Sequence, residues 1–238
     1  MAADEACLVK TMSVVIPAYN EARFIGELLR RIKAVDLSDH DVVKDIIVID
    51  DGSKDGTAAI VEAIEGVRLL RMPRNSGKGA AVRAGIAAAA GELVIIQDAD
   101  LEYDPRDYEP MLRALQERRA DAVYGSRYLG RARHPNQSVA AYAGGRSLSL
   151  IAWLFTGAWL TDTVTAYKLF RRSDLAAFPL ETTGFELDHE LTSRMLARGK
   201  TIVEVPIGYE PRSREEGKKI GPRDWFVAVR TFWRYRRG

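Results

Sequence analysis

The first half of the chain switches repeatedly between two hydrophobic periods, and this alternation limits the fold more than any other feature. Runs rich in Val and Ile, "MSVVIP", "DIIVID", "VRLLRM", "ELVIIQD" and "DAVYGS", have the pattern of strands. The segments between them, "EARFIGELLRRIKAV", "GTAAIVEAIE", "KGAAVRAGIAAAA" and "PRDYEPMLRALQERR", have the pattern of helices. Such an order implies βαβ units: a mostly parallel sheet, helices on both faces and right-handed crossovers. The expected class is therefore α/β with a Rossmann-like sheet. With 238 residues, 47% of them hydrophobic, the chain is sized for one core, so one domain with an elaborated C-terminal third is expected. Ligands on such sheets bind at the carboxyl ends of the strands. The unusual residues stand there: Pro17 to Glu21, Asp50 to Ser53, and Asp98 to Glu102.

Beyond Gly125 the regularity weakens. A basic, Gly-containing loop, "SRYLGRARHPNQ", precedes "SLSLIAWLFTGAWLT", a charge-free run of 15 residues, Ser147 to Thr161. That run is shorter than the roughly 20 residues needed to span a bilayer and reads as a buried or interfacial helix. "YKLFRR" and "TIVEVPIGY" are further strands, and "FELDHELTSRMLARG" is a helix closing at Gly199. From Arg212 to Gly238 nine Lys or Arg stand against three acids, a local +6 that leaves about −4 for the rest of a chain whose net charge is +2. In its last part, "GPRDWFVAVRTFWRYRRG", helical period puts Trp225, Phe226, Val229, Phe232 and Trp233 on one face. An anionic partner is expected for this tail, with a membrane surface as the leading candidate. The one cysteine, Cys7, permits no intrachain disulfide, and three scattered histidines argue against zinc. Two acids in "MAADEACLVK" do not suit a secretory signal, so the expected location is cytoplasmic, peripheral at the inner face of a membrane.

The motif "QDADLEYDP" gathers Asp98, Asp100 and Glu102 where a buried strand ends. If the segment stays extended, side chains two apart point the same way, and three hard oxygen ligands suit Mg²⁺ or Mn²⁺ shared with substrate phosphates. Against this, Asp104 before Pro105 has the form of a helix cap, and the other acids could simply decorate a turn. In "VIDDGSKDGT", Asp50 or Asp51 can accept hydrogen bonds from a ribose or a base, or make an ordinary turn. "NSGKGAAVRAG" fails both as a dinucleotide fingerprint and as a P-loop, since Val82 and Gly79 stand where the third Gly and the Ser or Thr belong. Lys78 and the first amides of its helix can still meet a phosphate, with a tightly packed helix start as the alternative.

Taken in order, "VVIPAYNE", "VIDDGSKDGT", "NSGKGAAVRAG", "QDADLEYDP", "YGSRY", "TDTVTAYKLFRR", "FELDHEL" and "VPIGYEPRSREEGKKI" resemble the family 2, inverting, GT-A-fold glycosyltransferases. The likeness is to the branch of dolichyl-phosphate mannosyltransferase and bacterial polyprenyl-phosphate sugar transferases, and it runs from about Ser13 to Arg237. It implies a GT-A domain over residues 12–211, after a flexible arm at 1–11, with a basic loop and amphipathic helix at 212–238. It implies that Pro17, Tyr19, Glu21 and the Asp50/Asp51 pair hold base and ribose, and that Asp98 and Asp100 are the DxD metal site. Glu102 then stands where relatives tend to have Gln. Arg127 and Arg146 match arginines that meet an acceptor phosphate, and Arg212, Lys218 and Lys219 lie in a loop suited to folding over a diphosphate. Ala166 replaces a usual glycine, which implies a modest change in pocket depth.

The expected reaction moves a hexose from a nucleotide-diphosphate sugar, of UDP-glucose or GDP-mannose type, to a polyprenyl phosphate at the membrane; nucleic acid is not an expected partner. A phosphomonoester is mostly ionised at pH 7, its second pKa being about 6, so positioning by arginine suffices and no strong base is needed. Asp188 is where relatives with hydroxyl acceptors keep a base, while Asp188, Glu186 and Glu190 also read as a solvated helix face. Two alternatives stand beside this: a family 2 transferase with a soluble hydroxyl acceptor, and a non-catalytic nucleotide-binding subunit.

Overall fold

The structure is a computed structural model and describes residues 9–130, 137–211 and 222–237. Its strands are β1 (Lys10–Ala18), β2 (Val42–Asp50), β3 (Val67–Arg71), β4 (Leu93–Ile96), β5 (Ala122–Ser126), β6 (Lys168–Arg171) and β7 (Ile202–Pro206). The helices are α1 (Ile25–Ala34), α2 (Thr57–Glu62), α3 (Lys78–Ala88), α4 (Tyr108–Glu117), α5 (Val139–Thr156), α6 (Arg172–Ala176), α7 (Leu187–Ala197) and α8 (Pro222–Tyr235). All seven strands form one sheet in the order β3-β2-β1-β4-β6-β5-β7. The pairings β1–β2, β1–β4, β2–β3 and β5–β7 are parallel, whereas β6 runs antiparallel to both β4 and β5. The mostly parallel, Rossmann-like expectation holds, with β6 inserted against the grain.

Alternate residues of β1 serve the two faces of the sheet. Val14 and Ile16 join a core built with Ile25, Leu28, Leu29 and Ile32 of α1 and with Met111, Leu112 and Leu115 of α4. Val15 faces the other core, with Ala81 and Val82 of α3 and Leu187, Leu191 and Met195 of α7. The spacing 25, 28, 29, 32 is one helical stripe, and each such buried side chain contributes roughly 1.5–3 kcal/mol, more than the helix gains from its own backbone. Helix α3 lies unusually close to the sheet because Gly85 has no side chain. A Cβ there would sit 2.4 Å from Val15 Cγ1 and 2.6 Å from Ile49 Cδ1.

Several expectations on the periphery change. Residues 1–8 of the N-terminal arm lie outside the described residues, as do Arg212, Lys218 and Lys219, while Lys10 and Thr11 already belong to β1. Helix α7 is buried from Leu187 through Met195, so Asp188 and Glu190 are not on a solvated face. Helix α8 exists and packs on α5 and α7, through Trp225 Nε1 donating to Ser147 Oγ at 2.9 Å and the Phe232 ring 4.9 Å from His189. Its aromatic residues divide. Phe232 and Tyr235 are buried with Ala228, whereas Phe226, Val227 and Trp233 face outward. Ala166 is buried in the core.

Candidate active site

The strand that carries the acidic motif ends at Ile96, two residues before Asp98. Gln97 closes it: its amide donates to Val15 O at 3.0 Å, its Oε1 accepts from the buried Tyr108 hydroxyl at 3.0 Å, and its Nε2 donates to Asp98 O at 3.1 Å. The chain then turns. Leu101 has φ of 61°, a left-handed conformation uncommon for a residue with a Cβ. Asp100 Oδ1 accepts from Glu102 N at 3.1 Å, and Asp104 caps the 3-10 turn at Pro105–Asp107 by accepting from Arg106 N at 2.9 Å, as expected of it. The alternation expected for Asp98, Asp100 and Glu102 is therefore absent, because the segment is a turn and not an extended strand. Glu102 lines a separate open cleft of about 860 Å³, with Arg30, Arg31, Arg106 and Tyr209. Among the described residues no three His, Cys, Asp or Glu side chains form a group able to hold a metal ion.

What the fold does bring together is a row of alternating charges. Lys78, the first residue of α3, places Nζ 2.7 Å from Asp98 Oδ1 and 3.8 Å from Asp188 Oδ2. Lys168 of β6 lies behind, with Nζ 3.6 Å from Asp188 Oδ1 and donating to Asp188 O at 2.6 Å. Burial works against the Lys78 ammonium, but Asp98 and then Asp188 outweigh it and hold its pKa above the ordinary lysine value. Lys168 has no exposure, and burial brings its pKa down to about 8 against the opposing pull of Asp188. The start of α3 is fixed by the segment before α7. Ala80 N donates to Thr183 O at 3.1 Å, and Gly77, at φ 98°, passes so close that a Cβ would meet Thr183 O at 2.4 Å. That segment is itself held by the buried Glu190 carboxylate, which accepts from the amides of Glu181 and Thr182.

At the ends of β1 and β2, Pro17, Tyr19 and Glu21 are half-buried. Their loop is laced to the next one: Asn20 N donates to Ser53 Oγ at 2.9 Å and Glu21 N to Thr57 Oγ1 at 2.9 Å. Asp50 and Asp51 are both buried and both accept from backbone. Asp50 Oδ1 takes Ser53 N at 3.0 Å, while Asp51 takes Ser76 N and Gly77 N, each at 2.8 Å, on its two oxygens. Asp51 thus ties the second strand end to the start of α3.

The two predicted acceptor arginines converge on one dipeptide. Arg127 holds Asp162 with Nε to Oδ2 at 2.6 Å and Nη2 to Oδ1 at 2.8 Å, and Arg146 donates to Thr161 O at 2.7 Å. Glu204 supports the dipeptide from below, accepting from the amides of Thr161 and Asp162 at 2.6 and 2.9 Å. Tyr209 stacks on the Arg127 guanidinium, 5.1 Å from the ring centroid. Tyr103 is parallel to Tyr167 at 5.0 Å and lies 5.9 Å from the Tyr209 ring; its burial holds the phenol well above the usual range. Sequence reasoning did not find Lys168, Asp162 or Glu204. A lysine inside the apolar strand "YKLF" was a usable signal, since a buried charge requires a partner.

The donor chemistry of the strand-end turn fits a divalent cation in part. Asp98 already has a cation, the Lys78 ammonium, at 2.7 Å, and Asp100 is two residues away. Two carboxylates suit an ion that completes its shell with water and phosphate oxygens.

The architecture is GT-A, a Rossmann-like sheet with polar, charged loops at the carboxyl ends of its parallel strands. The sequence profile of glycosyl transferase family 2 matches residues 13–177, and the chain belongs to that family. An undecaprenyl-phosphate mannosyltransferase of Micrococcus luteus is 31% identical over 221 residues, 87% of this chain and 86% of that protein. A dodecaprenyl-phosphate galacturonate synthase of Rhizobium johnstonii is 35% identical over 121 residues, 49% of this chain and 36% of the relative. In fold the chain is similar to glucosyl-3-phosphoglycerate synthase from Mycobacterium tuberculosis, solved with Mn²⁺, UDP and phosphoglyceric acid. The TM-score is 0.73, at 21% identity, covering 95% of this chain and 78% of that one.

Proposed function

We propose that this family 2 glycosyltransferase moves a hexose from a nucleotide-diphosphate sugar to a polyprenyl phosphate at the inner membrane surface. The observation that carries the donor half is the pairing of Lys78 with Asp98 at the mouth of the parallel strands, where cationic and hard-oxygen groups meet a diphosphate together. Asp98 and Asp100 would hold Mg²⁺ or Mn²⁺, which supplies Lewis-acid stabilisation of the leaving diphosphate. Lys78 and the positive end of α3 bind the same diphosphate. Pro17, Tyr19, Glu21 and Asp50 flank the nucleoside, and Asp51 shapes that pocket by fixing the loop to Gly77. Arg127 and Arg146 border the acceptor side. An ionised phosphate oxygen needs no base, so the residues have only to orient it and exclude water.

The acceptor half rests on the two named relatives and on an exposed apolar surface. Helix α5 and the residues after it expose Leu150, Trp153, Leu154 and Trp159, and the adjoining α8 exposes Phe226, Val227 and Trp233. Arg230 and Arg234 accompany them on α8. Aromatic and aliphatic side chains with flanking arginines suit a helix pair lying in the headgroup layer. No helix of the described residues is long and apolar enough to cross a membrane.

The reading is tested by release of nucleotide from UDP-glucose and GDP-mannose with Mn²⁺, with and without undecaprenyl phosphate. Release that depends on the lipid supports it. Equal release with water-soluble hydroxyl acceptors would transfer the reading to a soluble acceptor, and no turnover with any donor would favour a binding subunit. Asp98→Asn and Asp100→Asn should remove metal-dependent nucleotide binding while leaving the fold intact.

A further inference from the structure

The row Asp98, Lys78, Asp188, Lys168 runs from the site mouth into the core, with side-chain exposures of 20%, 16%, 9% and 0%. Its members come from four elements: the turn after β4, the start of α3, the first turn of α7, and β6. No local turn or cap requires this arrangement. Lys168 is the innermost member; its Nζ donates to Asp188 O at 2.6 Å and to Thr192 Oγ1 at 3.3 Å, and it makes an ion pair with Asp188 Oδ1 at 3.6 Å. Its ammonium also lies 4.6 Å from the centroid of the Tyr124 ring. A lysine so placed is costly unless its charge has a task, and the charge is directed at Asp188.

Asp188 in turn has each carboxylate oxygen turned to a different ammonium, Oδ1 to Lys168 and Oδ2 to Lys78. A general base must surrender its negative charge during the reaction. Asp188 would do so between two lysines, one of them without solvent. The oxygen on the side of the more exposed lysine, Oδ2, is the one turned to Lys78, at 3.8 Å. We propose that Asp188 is a positioning residue for Lys78, with Lys168 as the buried anchor behind it, and that it is not the base of the transfer reaction. Once Asp98 is engaged by a cation and diphosphate, Asp188 is the carboxylate that keeps the Lys78 ammonium at the mouth and aimed at the diphosphate. Burial brings the Lys168 pKa down to about 8, and Asp188, with Asp162 as a lesser contributor, works against that loss of charge.

This inference rests on the donor-diphosphate reading of Lys78. The experiment is calorimetric titration with UDP, GDP, UMP and GMP in Mn²⁺, on the wild type, Asp188→Asn, Lys168→Met and the double variant, each with a melting curve. Asp188→Asn should weaken the diphosphate by about tenfold, the loss of one charge-assisted contact, and the monophosphate by less than about twofold. Lys168→Met should act in the same direction, and the double variant should bind no more weakly than Asp188→Asn alone, because Lys168 works through Asp188. If Lys168→Met does not fold, Asp188→Asn decides. Unchanged diphosphate affinity in Asp188→Asn would overturn the proposal, and a collapsed kcat in the nucleotide-release assay beside it would restore Asp188 as a base. Equal losses for mono- and diphosphate would also overturn it, by making the pair merely structural. A wild type that binds neither UDP nor GDP would refute the donor reading itself, and this inference with it.

Discussion

Replacing Arg127 with methionine separates a structural arginine from a substrate-binding one. Asp162 is fully buried, and Arg127 supplies both of its side-chain partners, at 2.6 and 2.8 Å. After Arg127→Met the carboxylate keeps only the backbone amide of residue 127, now at 3.1 Å, and faces Glu204 across the shared Thr161–Asp162 backbone. Glu204 is already held above the ordinary glutamate range, by burial first and with Asp162 among the lesser causes. Breaking a buried pair from one side costs about 3–5 kcal/mol. In a chain of this size each kcal/mol is worth about 2–4 °C, so the melting temperature should fall by roughly 6–20 °C. Asp162→Asn added to Arg127→Met should recover most of the loss, because an amide oxygen still accepts the backbone N–H without carrying a charge. The assay is thermal and urea denaturation of the four proteins of the cycle. A fall of less than about 2 °C for Arg127→Met would refute the reasoning and free the guanidinium for the acceptor phosphate. An acceptor role for Arg127 is therefore best measured in variants shown to be folded.

Three further outcomes follow. His189 is buried beside Lys168 with its Nδ1 unpartnered, and burial, then the lysine charge, lowers its pKa from 6.5 to about 3. Between pH 6.5 and 3 the unfolded chain therefore binds a proton that the native state refuses, and stability falls as pH falls, by about 1.4 kcal/mol per unit or roughly 2 kcal/mol from pH 6.5 to 5. Urea midpoints at those pH values should show a smaller drop in His189→Leu, and an unchanged drop would assign the loss to other groups. Gly79→Ala should lower both melting temperature and nucleotide affinity, since its Cβ would press to 2.7 Å from Thr183 C and 2.8 Å from Gly184 O; a neutral result would mean that this loop yields freely. Leu154→Ser with Phe226→Ser should reduce binding to anionic vesicles while leaving nucleotide affinity unchanged, and sedimentation with vesicles that does not change would exclude this face as the contact.

The seven strands, the principal helices and the positions of the acidic turns were legible in the chain because each depends on local pattern. Period two or 3.6, an Asp before Pro105 and glycines at sharp turns act over a few residues, and so the cap made by Asp104 was readable in advance. The geometry of the acidic turn was not: Leu101 has φ of 61°, and the ends of the turn are tied by contacts between elements, Gln97 to Val15 of β1 and Tyr103 to Tyr167. The antiparallel placement of β6 was equally out of reach, and it is that strand which delivers Lys168 beneath Asp188. Sequence also put five aromatic and aliphatic residues of α8 on one face, yet packing on α5 and α7 buries Phe232 and leaves Phe226 and Trp233 outside. Residue types and their order thus fixed the family and the inventory of charged groups. Which charge meets which was decided by contacts between positions such as 78, 98, 168 and 188, since Coulomb energy depends on distance and burial, and a linear sequence carries neither.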